Sequence, residues 1–331
     1  MSWLNLNKNR QKELFEQLSF RTGILPQAIE KDAWVTLILR MLFSSEISEQ
    51  LIFKGGTSLS KVYELIQRFS EDIDISINRE FLGFTGDLTK GEIRKLRRKS
   101  HDFTLNEMTK TIENQLNDYQ ISNDKYEIIV ENTKISDQDP ETIQINYQSV
   151  FNEIGYLPKR VLIEIGARSS TEPFERKQIK SLIDAHYTDT KITEREFEVR
   201  VIRPEKTFLE KLILLHEEFT KPIEKIRHFR MSRHFYDIAQ IIETEYGKNA
   251  LQDKKLFEQI IKHREKFTPI KTVDYTKLEL KKLKIFPDDK ILELYEKDYN
   301  QMQESMIYGK KQEFNEIIEL IKKITSWQHC V

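Results

Sequence analysis

Residues 72–77 alternate strictly: Asp72-Ile73-Asp74-Ile75-Ser76-Ile77. A period of two predicts a half-buried strand. Ile73, Ile75 and Ile77 then face a core and both aspartates share the other face. Upstream, Leu51-Ile52-Phe53 predicts a short buried strand that runs into the turn Gly55-Gly56-Thr57-Ser58. That turn opens a helix expected over residues 57–67, which returns the chain beside the first strand. β-Branched runs at 126–130, 142–147, 160–166 and 196–202 predict four further strands, with a polar turn region at 131–141. Helical spacing predicts helices over 6–20, over 26–46 behind Pro26, over 91–119 and over 177–186, with a loop at 79–90. Trp34, Ile38, Met41 and Leu42 fall on one face of the second of these. From about residue 205 the 3.6-residue period dominates, punctuated by Pro222, Gly247 and Pro287. The pattern predicts an α+β fold. A mixed sheet with flanking helices occupies 1–204, with a charged helical insertion at about 90–120. A helical C-terminal lobe follows over 205–331.

The glycine turn and the acidic strand are the two halves of a nucleotide-transfer site. Gly55 and Gly56 permit a sharp turn and close approach of backbone to ligand. Thr57 and Ser58 stand where a helix begins, so they can cap it or bind phosphate. Asp72 and Asp74, at i and i+2 on a strand, suit a pair of hard divalent cations, which lie roughly 3.5–4 Å apart in two-metal sites. Lys61 and Arg68 are candidates for phosphate, and Ser70 for orienting Asp72. Lys54 is a weaker candidate, still on the strand before the turn. The predicted helix after residue 90 begins with Lys90, Arg94, Lys95, Arg97, Arg98, Lys99 and His101 against one acid, Glu92. Such a run is ordinarily a solvated face. With a polyanionic substrate, Arg94, Lys95, Arg97 and Arg98 become candidate RNA contacts.

Composition narrows the setting. A net charge of −1 over 331 residues argues against a protein that coats nucleic acid without specificity, but leaves room for a local basic groove. Cys330 is the one cysteine, so no disulfide forms within the chain, as expected in a reducing cytoplasm. The N-terminus is polar and predicts no signal peptide. The most apolar run, residues 33–43, contains Arg40 and is shorter than the about 20 residues of a membrane span.

The run FKGGTSLSK…RFSEDIDIS resembles the AbiEii/AbiGii-type toxins, a branch of the polymerase-β-like nucleotidyltransferase superfamily. RPEKTFLEKLILLH (203–216), RMSRHFYDIAQ (230–240) and EKDYNQMQESMIYG extend the resemblance over roughly residues 30–310. It implies a minimal nucleotidyltransferase core, an NTP substrate, and Mg²⁺ or Mn²⁺ held by Asp72, Asp74 and a third carboxylate. Glu164, between Ile163 and Ile165, matches that third position and is alternatively a general base; Arg168 follows as a phosphate candidate. Lys211 matches the family's helix lysine, expected to counter charge on the leaving pyrophosphate, with Lys206 the weaker choice. Asp237 is expected to orient Lys211 or the nucleotide, or to form a structural salt bridge; Arg233 and His234 are open candidates for nucleotide or acceptor. The resemblance further implies a toxin of a toxin–antitoxin or phage-defence system. Its acceptor would be RNA, foremost the 3′ end of tRNA, and a cognate antitoxin would be its partner. Two alternatives stand beside this: transfer to a protein hydroxyl, and a non-catalytic regulator that binds nucleotide or a partner.

Overall fold

In the computed structural model, residues 3–70, 72–130, 140–152 and 157–327 are described, without the side chains of 325–327. Glu71, most of the polar turn region at 131–141 and Cys330 lie outside them. The chain divides into two compact units, one of residues 1–62 and 69–202, the other of residues 63–68 and 203–331.

The first unit is built on one seven-stranded mixed sheet of order β3-β4-β5-β2-β1-β7-β6. Its strands are β1 (Leu51–Lys54), β2 (Asp72–Ile77), β3 (Tyr126–Val130), β4 (Glu141–Tyr147), β5 (Arg160–Gly166), β6 (Phe174–Ile179) and β7 (Phe197–Ile202). β1 pairs antiparallel with β2 and parallel with β7, and β2 pairs parallel with β5. The predicted alternation decides which face is core. Phe53, Ile75, Ile165 and Ile143 are wholly buried, as are their same-face neighbours Ile73 and Ile163. Against β5 and β7 packs α2 (Pro26–Phe43), which also contacts α1 (Lys8–Thr22). Trp34 of α2 stacks on Tyr147 with ring centroids 5.1 Å apart, and Trp3 meets Trp34 edge-on at 5.7 Å.

Two expectations give way here. The helix expected over 57–67 is α3 (Gly55–Lys61), which stops six residues early. Glu64 adopts a left-handed backbone (φ 53°), which an α-helix does not continue through. Residues 63–68 instead belong to the second unit. There Tyr308 and Gly309 donate backbone hydrogen bonds to the Gln67 carbonyl, and Arg68 forms a β-bridge with Ile307. The helix expected over 177–186 is the edge strand β6 followed by a short α6 (Leu182–His186). Ser181 caps α6 by a reciprocal capping box with Asp184. β6 reads FERKQI because an edge strand carries charge on its open side, which blurs the apolar period. The long charged helix is present, as α4 (Lys90–Phe103) and α5 (Thr109–Asp118) joined by a π-helical turn at Thr104–Met108.

The second unit is helical: α7 (Pro204–Phe219), α8 (Ser232–Ile242), α9 (Glu245–Gln252), α10 (Lys254–Phe267), α11 (Asp289–Ser305) and α12 (Phe314–Trp327). α8 packs against α7, α9, α11 and α12. Phe235 of α8 anchors this core, meeting Phe219, Phe286, Tyr295 and Phe314 at centroid distances of 5.3–6.2 Å. Pro204 opens α7, where its missing N–H leaves no helical bond unmade. No helix among the described residues is long and apolar enough to cross a membrane.

Candidate active site

The face of the sheet opposite the isoleucines is polar. Strand register aligns Lys54 of β1, Asp74 of β2, Glu164 of β5 and Thr142 of β4 in one row. Asp72 lies two residues along on the same face, beside Leu162. Asp72, Asp74 and Glu164 are all half-buried, whereas the isoleucines between them are fully buried. Asp74 thus stands between Lys54 and Glu164, and the carboxylate oxygens of Asp72, Asp74 and Glu164 share one face.

Gly55 is where the turn meets this row. Its φ is +80°, and a Cβ there would overlap the Asp74 carboxylate. Glycine is thus required twice, for conformation and for room. Lys54 N-caps α3 with no side-chain hydrogen bond, so the first backbone N–H groups of α3 have no partner within the helix. The hydroxyls of the turn are both hydrogen-bonded within the protein. Thr57 Oγ1 donates to the Asp72 carbonyl at 2.5 Å, and fully buried Ser58 donates to the Gly55 carbonyl at 2.8 Å. These bonds tie the turn to β2 and to itself, so both hydroxyls brace the turn and their protons are already donated.

Lys61, expected against phosphate, instead pairs with Asp32 of α2 at 2.5 Å, and Asp32 also accepts from the Leu182 N–H at 2.7 Å. Asp32 is one of three consecutive charges, Glu30-Lys31-Asp32, inside the otherwise apolar α2. Glu30 is buried and accepts from the Val150 N–H and the Ser149 hydroxyl. Burial pushes its carboxyl up, against the pull of those bonds. Lys31, also buried, donates to the Pro158 carbonyl at 3.1 Å. Sequence reasoning passed over this triplet. Its signal was present: three charges interrupting an apolar helix require partners.

In the second unit, Arg68, Lys211 and Asp237 converge. Arg68 grips Asp237 with two parallel bonds, Nε to Oδ1 and Nη2 to Oδ2, each 2.7 Å. Lys211 Nζ lies 2.9 Å from Oδ2. Asp237 has no exposed surface. Burial alone would raise its pKa, but the charges of Arg68 and then Lys211 outweigh that and hold it well below the usual carboxylate range. Burial pushes Lys211 down from its ordinary value, with Asp237 opposing. Arg68, a candidate for phosphate in the sequence, is placed here as a buried partner of Asp237. Lys206 is buried too, with Glu210 3.8 Å away. His234 lies beside the cluster on α8. Burial, then the cations Lys211 and Arg233, hold it well below its ordinary value, and its Nδ1 makes no hydrogen bond.

Ser70 is half-buried on the approach to β2, and Arg168 is half-buried just beyond β5. Arg94, Lys95 and Arg98 are exposed on α4, with Arg97 half-buried. Among the described residues, no three carboxylate, histidine or cysteine side chains already converge on one point as a cation site. The donor chemistry of Asp72, Asp74 and Glu164 nonetheless fits a hard cation: oxygen ligands on one face, with the turn opposite Asp74 kept clear by Gly55.

Residues 37–320 match the family described as Nucleotidyl transferase AbiEii toxin, Type IV TA system. The match covers most of the chain, which therefore belongs to the AbiEii family of nucleotidyltransferase toxins, proteins of toxin–antitoxin systems. No curated protein matches the sequence. Among solved structures, MenT4, a nucleotidyltransferase toxin from Mycobacterium tuberculosis H37Rv, aligns at 13% identity over 97% of this chain and 99% of its own, with a TM-score of 0.46. JHP933 from Helicobacter pylori aligns at 15% identity over 92% and 96%, with a TM-score of 0.39. No functional conclusion rests on either alignment.

Proposed function

We propose that this toxin transfers a nucleotide from an NTP to a hydroxyl of RNA, foremost the 3′ end of tRNA, and so blocks translation. The observation that carries the reading is the register of Asp74 with Glu164, beside Asp72 and against the Gly55 turn. Asp72, Asp74 and Glu164 would hold Mg²⁺ or Mn²⁺. When bound, the cation neutralises charge on the triphosphate. The backbone N–H groups at the start of α3, left without helical partners, are the donors assigned to phosphate. The acceptor oxygen bonds to the α-phosphorus, the bond to the β-phosphate oxygen breaks, and pyrophosphate leaves. The hydroxyl proton passes to Glu164 or to water. The family resemblance assigns Lys211 to charge on the leaving group.

The exposed basic face of α4 favours a polyanionic acceptor over a small one. Lys95, Arg98 and Lys99, with one acid, Asp102, line a shallow hollow with Leu82, Gly83 and Phe84 of the preceding loop. Family membership implies a cognate antitoxin as partner.

The test mixes the protein with Mg²⁺, each α-labelled NTP in turn, total tRNA and cell extract, with Asp72→Ala alongside. Label on tRNA from wild type alone is the expected result. Label on a protein replaces the acceptor. No label in any lane, with NTP still bound, ends the catalytic reading.

A further inference from the structure

The link between α7 and α8 is exposed over most of residues 222–229, yet it is held as firmly as core. Buried Glu218 accepts four hydrogen bonds from it. They come from the Arg227 N–H at 2.7 Å, Arg227 Nε at 3.0 Å, Arg227 Nη2 at 2.7 Å and Lys221 Nζ at 2.7 Å. The Tyr295 hydroxyl donates to the Arg227 carbonyl at 2.8 Å. Three residues on, buried Asp298 accepts from the N–H groups of Arg230 and Ser232 and from the Ser232 hydroxyl, at 2.6, 2.9 and 2.5 Å. Arg230 is kept in the left-handed region, φ 59°, which a non-glycine residue adopts only when its surroundings impose it. Between these two clamps stand His228 and Phe229. Phe229 is 66% exposed.

A mobile surface loop satisfies its backbone with water. Two buried carboxylates and a tyrosine serve here to fix the backbone on either side of a largely exposed aromatic residue. Fixing that backbone in advance lowers the ordering cost of whatever stacks on the ring. The flanking charge selects the partner. Of the four lysines and arginines from 221 to 230, Lys221 and Arg227 pair with Glu218, while the Arg227 side chain stays 63% exposed and Lys225 is exposed beside Glu224. An aromatic face beside cations is the chemistry that binds single-stranded nucleic acid.

We propose that the tip at 225–229 is a stacking contact for a single-stranded stretch of RNA, with Phe229 under a base and Lys225 on a phosphate. The identity of that RNA as acceptor rests on the function proposed above; the binding surface does not. The test uses the full chain and a fluorescent single-stranded RNA oligonucleotide, read by anisotropy across a salt series. Phe229→Ala is expected to weaken binding about tenfold, and Phe229→Trp to restore it. Lys225→Ala is expected to lower the slope of log affinity against log salt by about 0.7. NTP binding stays at the wild-type level in all three variants. Wild-type RNA affinity in Phe229→Ala overturns the proposal. So does unchanged RNA affinity with lost binding of the antitoxin, which would make the tip a protein contact. If nucleotide transfer labels no RNA while Phe229→Ala still weakens RNA binding, the acceptor reading fails and this surface stands.

Discussion

Asp74 and Asp237 are both aspartates beside other charges, and their surroundings differ in kind. Asp237 is sealed from solvent, with Arg68 in a two-bond grip and Lys211 at 2.9 Å. Asp74 is half-buried, next to another carboxylate, and faces a turn from which even a Cβ is missing. The first arrangement is complete without a ligand. The second is open, with Lys54 on one side of Asp74 in the register, Glu164 on the other, and room at the Gly55 turn. A carboxylate that stabilises a fold is surrounded by its counter-charges; one that serves chemistry is left to find them in the substrate.

The sharpest way to break this comparison is to remove each carboxylate. Asp237→Ala leaves Arg68 and Lys211 buried without their counter-ion and is expected to cost about 3–5 kcal/mol in denaturant melts. Asp74→Ala removes a half-buried side chain and is expected to change stability by no more than about 1 kcal/mol while nucleotide transfer disappears. Equal stability losses would erase the distinction. Gly55→Ala comes next. The strained φ and the overlap with Asp74 are expected to cost about 1–3 kcal/mol, with loss of transfer exceeding the loss of folded protein. Transfer at the wild-type rate would show that the turn yields without moving Asp74.

The smallest effect concerns His234, whose folded pKa is depressed. Below its ordinary value near 6.5 the unfolded chain takes up a proton that the folded chain refuses. Its contribution is therefore complete above about pH 6.5 and falls as pH drops, by at most about 1.4 kcal/mol per pH unit. Stability measured from pH 7 to pH 5 is expected to fall less steeply in His234→Gln. Identical slopes would place the acid sensitivity elsewhere.

The carboxylate strand was legible because its period of two survives burial: Ile73, Ile75 and Ile77 announce which way Asp72 and Asp74 point. Glu164 was singled out by the family resemblance rather than by the pattern alone, and its register with Asp74 is a tertiary fact. β6 was hidden because Glu175 and Lys177 break the apolar rhythm at a sheet edge. The partner of Arg68 was out of reach, since Asp237 lies 169 residues away and nothing local marks the pair. Glu30, Lys31 and Asp32 were readable and were missed, because an amphipathic stripe draws attention to its apolar positions and away from charges embedded among them.

The placement of residues 63–68 in the second unit has a consequence for how the chain is made. Arg68 leaves the ribosome 169 residues ahead of Asp237, and its bridge partner Ile307 comes later still. At about 5–20 residues per second, the interval to Asp237 alone is on the order of ten seconds or more. A polypeptide released by cutting before Arg203 would lack Arg68 altogether and leave Asp237 with Lys211 alone. The helical unit is thus assembled from two separated stretches of message, and ribosomes that stall between them produce a chain in which it cannot close.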